Sequence, residues 1–191
     1  MASLFSAAVA GQAVAAPQTY QIDTSHTFTS FSYNHMGFST QQLRLDNTSG
    51  TVVYDKEANT AEVDISLDMT AINTGFADFD AHIKSADLFD TENFPTATFK
   101  STKVTFEADA PKTIEGELTI KGITKPVVLE VTHFHNAENP MFKKDAIGAN
   151  ATTTILRSDF GIDLFVPAVG DEVTINIALE ALLNNIRQYF S

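Results

Sequence analysis

The chain has 191 residues and a formal net charge of −12, from 24 acidic and 12 basic residues. This length predicts one domain with a substantial core. The acidic balance argues against a nucleic-acid partner, because such a surface repels phosphate backbones. Cysteine is absent, which excludes a disulfide framework and a thiol nucleophile. The 15 phenylalanines suit either an ordinary core or an apolar cavity.

The N-terminal stretch, MASLFSAAVAGQAVAA, is small and apolar and ends in an A-x-A cleavage pattern at Ala13, Val14 and Ala15. A charged n-region is missing, so we interpret residues 1–16 as a signal-peptide remnant with its true start upstream. Cleavage near Ala15 would export a single domain, residues 17–191, to the periplasm. A disordered Ala-rich tail is the alternative. No later run approaches the roughly 18 apolar residues of a membrane-spanning helix.

Strand patterns fill most of the remaining chain. The clearest is residues 60–68, where Val63, Ile65 and Leu67 alternate with polar residues, as in a strand with one wet face. A phase shift between Phe28 and Phe31 indicates a bulge or bend. The predicted strands are residues 20–23, 31–35, 43–45, 50–55, 60–68, 98–108, 116–121, 127–135, 147–157 and 173–183.

Residues 73–101 interrupt this pattern. Phe76, Phe79, Ile83 and Ala86 recur at three- and four-residue spacing, which predicts a short amphipathic helix. Asn73 and Thr74 are suitable N-cap residues, and Pro95 prevents the helix from continuing. A lone helix among antiparallel strands fits best across an open end of a barrel or sandwich, as a lid.

We interpret these ten segments as about eight strands, most connections are short, and no βαβ rhythm is present. These features predict an all-β, antiparallel fold. Closure of such a meander into an eight-stranded barrel, with the short helix as its lid, removes the exposed strand edges.

Few residues suggest catalysis. His133 and His135 would project to one face of a strand and could bind a metal, although polar residues at a strand end are the simpler interpretation. Asp159, Phe160 and Gly161 imitate the magnesium motif of kinases without the rest of its machinery.

Two polar groups remain. Arg157 and Asp159 share a face if their strand continues, and Asp80, His82 and Lys84 lie in the lid. Ion pairs that hold the lid to the barrel rim would explain both groups. Alternatively, some of these side chains orient the polar end of a ligand.

Six segments, in order, resemble the YceI-like family, and they run from about Thr19 to Leu183, which is nearly all of the chain after the leader. They are YQID with SH and the run from Phe31 to Gly37; DAHIK with FD; FPTATFKS; GELTIKG; RSDFG; and VGDEV. The chain departs from the family pattern at residues 41–47, and its tail at residues 186–190 runs past the usual end.

The resemblance implies a lipocalin-like barrel that binds a long apolar chain, such as a polyisoprenoid, an isoprenoid quinone or a fatty-acid amide, in a periplasmic or secreted protein. We therefore expect a non-catalytic carrier or scavenger whose partner is the bound lipid, without a cofactor. A homodimer is left open. The expected ligand-binding residues are Phe31, Tyr33, Phe99 and Phe160 on the apolar wall, Phe79 in the lid, and His35, Asp80, His82 and Arg157 near the head group.

Two other functions fit the same sequence. One is a metal- or head-group-dependent enzyme that acts on a lipid in the same cavity. The other is a barrel filled by its own side chains, with a rim that binds another protein. An empty lumen or a packed one distinguishes these interpretations.

Overall fold

The computed structural model describes residues 16–184. Residues 1–15 of the predicted signal-peptide remnant and the tail at residues 186–190 lie outside this range. Within it, no helix combines the length and the apolar character needed to cross a bilayer.

Eleven strands and one α-helix make up the regular structure of the described residues. The strands are β1 (Gln18–Ile22), β2 (Phe28–His35), β3 (Ser39–Leu45), β4 (Thr48–Asp55), β5 (Thr60–Asp68), β6 (Ile72–Asn73), β7 (Thr96–Glu107), β8 (Ala110–Ile120), β9 (Ile123–Asn139), β10 (Lys144–Leu156) and β11 (Val169–Leu183). The helix, α1, is Ala77–Lys84, and 3₁₀ turns occupy Met69–Ala71 and Arg157–Phe160.

The strands close into an eight-stranded antiparallel barrel, as the sequence predicted. Eight of the eleven segments, β1, β4, β5, β7, β8, β9, β10 and β11, form a ring that closes by pairing β1 with β11. Strand β2 follows β1 along β11, so β1 and β2 act as one bent strand. Strand β3 pairs with β2 and leads into β4, so β3 and β4 act as a second bent strand. Closure leaves the ring without a free edge.

The bend between β1 and β2 lies at residues 23–27. Ala181 of β11 faces Ile22, whereas Ile177 faces Thr29, so four steps along β11 correspond to seven along the bent strand. Thr27 secures the extra residues, since its Oγ1 donates to Glu180 O at 3.1 Å and accepts from Glu180 N at 3.0 Å. The predicted bulge or bend between Phe28 and Phe31 is wrong in its position, because β2 pairs without interruption there and the bend precedes it.

The up-and-down connections divide the turns between two ends of the barrel. We call one end the mouth; it carries the turn at residues 36–38, the lid segment at residues 74–95, the turn at residues 121–122 and the loop at residues 157–168. The opposite end, here the closed end, carries the turns at residues 56–59, 108–109 and 140–143.

Helix α1 forms inside the segment predicted for it, but its N-cap differs. The predicted caps, Asn73 and Thr74, precede the true N-cap, Phe76, which has no side-chain acceptor. Thr74 Oγ1 instead accepts from Phe76 N at 3.2 Å, and the Asp80 carboxylate reaches back to Thr74 N at 2.7 Å. These bonds hold the entrance of the helix without a conventional cap.

The buried face of α1 packs on the mouth. Ile83, 6% exposed, belongs to a cluster with Leu43, Leu45 and Ile72. A larger cluster fills the wall of the barrel below it. The helix is therefore part of the apolar core rather than an external appendage.

Candidate functional site

The barrel encloses a cavity of about 460 Å³ that reaches the surface at the mouth. Alternate residues of β10 line it: Ile147, Ala149, Ala151, Thr153 and Ile155. This alternation follows from the pleat, which sends every second side chain inward. At about 3.3 Å per residue and a tilt of about 40°, the lined part of β10 corresponds to a lumen roughly 20 Å long.

The lining is almost entirely apolar. Eight of the 15 phenylalanines contribute to it: Phe31, Phe79, Phe89, Phe99, Phe106, Phe134, Phe160 and Phe165. Of the described residues that line the cavity, none is Asp, Glu or Lys. Among the described lining residues the one formal charge is Arg157, and the remaining polar groups are His35, His82, two tyrosines and threonines. A charged guest group would lose its hydration in the lumen without compensation.

One inward side chain depends on a glycine. Phe99 of β7 lies across Gly116 of β8, its neighbour in the sheet. A Cβ at position 116 would come within 2.4 Å of the Phe99 ring and 2.6 Å of Lys100 O. Glycine at position 116 therefore leaves the space that the Phe99 ring occupies.

Three aromatic rings narrow the closed end. Tyr54 stacks on Phe106 with centroids 6.3 Å apart and meets Phe134 edge-on at 5.7 Å. Outside this cluster, Tyr20 donates from its hydroxyl to Asp145 at 2.5 Å, which ties β1 to β10. Burial, followed by this bond to Asp145, raises the pKa of Tyr20. The tyrosine is therefore neutral and serves as a structural donor.

The lid segment is fastened over the mouth by contacts that need no charge pair. Phe89 meets Phe31 of β2 edge-on at 6.2 Å. Lys121, in the β8–β9 turn, donates to Leu88 O at 2.8 Å and to Ala86 O at 3.3 Å. The part of the segment after α1 is thus attached to the wall on two sides.

Arg157 binds the loop that follows it. Its Nε donates to Gly170 O at 2.9 Å and its Nη1 to Ile162 O at 2.7 Å. Its Nη2 donates to Leu164 O and Val169 O, both at 3.0 Å. Four of its five N–H groups are therefore committed to backbone carbonyls, and the guanidinium acts first as a clamp on the loop.

The predicted pairing of Arg157 with Asp159 is wrong. Strand β10 ends at Leu156, and the 3₁₀ turn that follows leaves Asp159 exposed. Asp171 holds the turn instead, accepting from Ser158 N at 2.9 Å and from Ser158 Oγ at 2.7 Å. These bonds from Ser158 lower the pKa of Asp171, and the nearby Arg157 charge lowers it further.

The structure places eight of the nine predicted ligand-binding residues on the cavity wall. They are Phe31, Tyr33, His35, Phe79, His82, Phe99, Arg157 and Phe160. The ninth, Asp80, is not among the lining residues. Its hydrogen bonds from Thr74 lower its pKa, so it is an ionised group that holds the start of α1.

Sequence reasoning missed several other residues of the lining. Tyr54, Phe106, Phe134, Leu164 and Phe165 all line the cavity but were not singled out. Strand alternation would have found Phe106, which is inward like Val104. Phe134 was missed because a register shift opposite Asn150 and Ala151 changes which residues of β9 face the lumen. Val131 points inward before the shift and Phe134 points inward after it. The pattern of the sequence does not mark this shift.

The suggested metal pair His133 and His135 lies on the exposed outer surface of β9. Within residues 16–184, the grouping that could hold a metal is Asp23, His26 and Glu180, whose candidate ligand atoms lie within 4.8 Å of one another. It sits outside the barrel at the bend between β1 and β2. Asp23 and His26 already satisfy each other there, with Oδ2 and Nδ1 2.9 Å apart.

This Asp23–His26 pair predicts a pH-dependent stability. The bond to Asp23 raises the pKa of His26 above its ordinary 6.5. Hydrogen bonds from Ser25, then His26, lower the pKa of Asp23 below 3.8. The contribution of His26 is therefore complete below pH 6.5 and lost as the pH rises through its raised pKa, while that of Asp23 fades as the pH falls through its lowered pKa. We expect His26→Gln to lower the urea midpoint more at about pH 5 than at about pH 8. His133→Gln, at an exposed site, is the control, and an equal loss at both pH values would contradict the assignment.

An antiparallel barrel closed around an apolar cavity, with a helical segment over its mouth, defines the class of lipocalin-like cavity proteins. The model of the YceI-like domain matches residues 20–181, and the chain belongs to this family. It is 33% identical over 174 residues to Protein YceI of Escherichia coli O17:K52:H18, covering 91% of this chain and 90% of that protein. It is 30% identical over 174 residues to a UPF0312 protein of Pseudomonas aeruginosa, with the same coverage of 91% and 90%.

Solved structures share the fold. BcnA of Burkholderia cenocepacia superposes with a TM-score of 0.69 at 23% identity, covering 84% of this chain and 99% of BcnA. A polyisoprenoid binding domain from Saccharophagus degradans, implicated in plant cell wall breakdown, gives a TM-score of 0.65 at 14% identity, covering 87% of this chain and 99% of that domain.

Proposed function

We propose that this protein binds a long-chain apolar lipid in the barrel lumen and acts as an exported carrier or scavenger rather than as an enzyme. The observation that carries the proposal is the cavity of about 460 Å³, open at the mouth and lined by apolar side chains. A polyisoprenoid, an isoprenoid quinone and a fatty-acid amide all have the required apolar tail.

The energetics favour such a guest. Each buried methylene contributes about 0.8 kcal/mol before the costs of ordering. A tail of ten carbons buried in the lumen would therefore gain about 8 kcal/mol, which leaves little need for polar anchors. Because the lumen is roughly 20 Å long, a longer polyisoprenoid would fold back or extend through the mouth.

The polar end of the lipid belongs at the mouth. Tyr33, His35 and His82 line the cavity there and offer hydrogen-bonding groups to an uncharged or amide head group. Burial raises the pKa of Tyr33, so its hydroxyl is a neutral donor. Arg157 has a single N–H group beyond its loop carbonyls and plays a smaller part in this site.

Relatives lend support by analogy. The Saccharophagus domain that shares this fold is a polyisoprenoid binding domain. The phenylalanine-rich wall of the present chain would accommodate that chemistry, and it also fits a saturated acyl chain.

The first experiment is to extract the purified protein with organic solvent and to identify bound lipids by mass spectrometry. We expect a stoichiometric apolar lipid, and after delipidation we expect saturable binding of a fluorescent polyene fatty acid from solution. Recovery of no lipid, together with no saturable binding by the delipidated protein, would overturn the proposal.

A further inference from the structure

The mouth is bordered by large apolar side chains that face solvent. Phe38, in the turn between β2 and β3, is 89% exposed, and its neighbour Met36 is 49% exposed. In the adjacent loop at residues 157–168, Phe165 is 56% exposed. Met36 N donates to Ala168 O at 3.1 Å, so the turn and the loop are joined. We call Met36, Phe38 and Phe165 the mouth rim.

The mouth rim continues the cavity. Met36 and Phe165 line the lumen and are also exposed outside it, so an apolar path runs from the interior to the surface. Exposed apolar surface that is continuous in this way marks an interaction site more often than exposed side chains scattered singly.

The proposed lipid ligand indicates which partner the mouth rim contacts, and this step rests on the proposed function. A long apolar lipid is dissolved in a bilayer, and every methylene that crosses water on its way to the lumen adds to the barrier. Contact between the rim and the bilayer would let the tail pass from one apolar phase to another. Burial of exposed aromatic side chains at the acyl boundary would stabilise this contact.

The charges around the mouth select the kind of bilayer. Asp159 and Asp163 are exposed on the same loop as Phe165, and Asp78 is exposed on α1. The cation on that loop, Arg157, is committed to backbone carbonyls. Excess negative charge at the rim disfavours an anionic lipid surface.

We propose that the mouth rim docks on a neutral, zwitterionic bilayer surface and that the lipid enters and leaves the lumen through this contact. The exposed Phe38 is the principal anchor, because it does not line the cavity and is free to insert.

The test compares Phe38→Ser with Met141→Ser, which removes an 85% exposed side chain from the closed end. Delipidated proteins are mixed with phosphatidylcholine vesicles that contain the fluorescent polyene fatty acid. We expect Phe38→Ser to reduce vesicle co-flotation at least about fivefold and to slow uptake about tenfold, and Met141→Ser to match the wild type. Both variants should bind the same fatty acid from solution with unchanged affinity.

The other outcomes are also decisive. Unchanged flotation and uptake in Phe38→Ser, or stronger binding to phosphatidylglycerol vesicles, would overturn the proposal. A dimer that Phe38→Ser dissociates in solution would overturn it in favour of a contact between two copies. Recovery of no lipid from the wild type, together with its failure to bind the fatty acid from solution, would refute the proposed function, whereas flotation of the unloaded protein tests the rim independently.

Discussion

Replacing Arg157 with methionine is expected to lower the free energy of unfolding by roughly 3 kcal/mol, because bonds from a charged donor contribute about 1.5–3 kcal/mol each and four such bonds do not add fully. The substitution removes the donors that hold the carbonyls of Ile162, Leu164, Val169 and Gly170. Methionine retains much of the apolar stem of arginine, so the loss of stability measures the contribution of the guanidinium.

Urea unfolding of Arg157→Met measures this effect. The same measurement on Arg157→Lys shows whether the positive charge alone is enough or the guanidinium geometry is required. An ammonium carries its three donors on one nitrogen and cannot reach all the carbonyls that the planar fork spans, so lysine should recover only a minor part of the stability. Asp159→Asn, at the exposed neighbour, is the control and should unfold like the wild type. Wild-type stability in Arg157→Met, combined with loss of lipid binding, would show that the guanidinium is a head-group ligand and not a clamp.

The fold could be predicted because its local signals agree. Alternation in residues 60–68, the short connections and the change of period at Phe76 and Phe79 all indicate strands closed around a space with one helix. The bend between β1 and β2 could not be placed in the same way. It depends on how Thr27 meets Glu180, a contact between residues that are 153 positions apart.

Regular spacing made much of the candidate site predictable, by alternation on the strands and by helical spacing in the lid. Phe31, Tyr33 and His35 follow one another at spacing two and all line the lumen. Phe134 escaped because the register shift in β9 changes which face is inward. A charged residue in a sequence also does not reveal its partners: Arg157 bonds to carbonyls, which every residue has.

The second large effect is expected on lipid affinity, from a substitution that obstructs the lumen. Ala149 lies halfway along β10 and points into the cavity beside Phe134 of β9 and Leu179 of β11. The ring of Ala149→Trp would occupy space that the lipid tail needs. Displacement of about three methylenes costs about 2.4 kcal/mol, which weakens the dissociation constant roughly fiftyfold.

The free energy of unfolding should change little, because the new ring enters vacant volume instead of a packed core. The free energy gained by burying the ring offsets the entropy lost when the ring is ordered. The matched control is Asn150→Trp, one residue along the same strand on its exposed face, where the same side chain leaves the lumen free. Titration with the fluorescent polyene fatty acid measures both variants, and urea midpoints confirm that each is folded. A folded Ala149→Trp protein with wild-type affinity would place the lipid outside the barrel, because an indole at that depth must displace part of a tail that lies in the lumen.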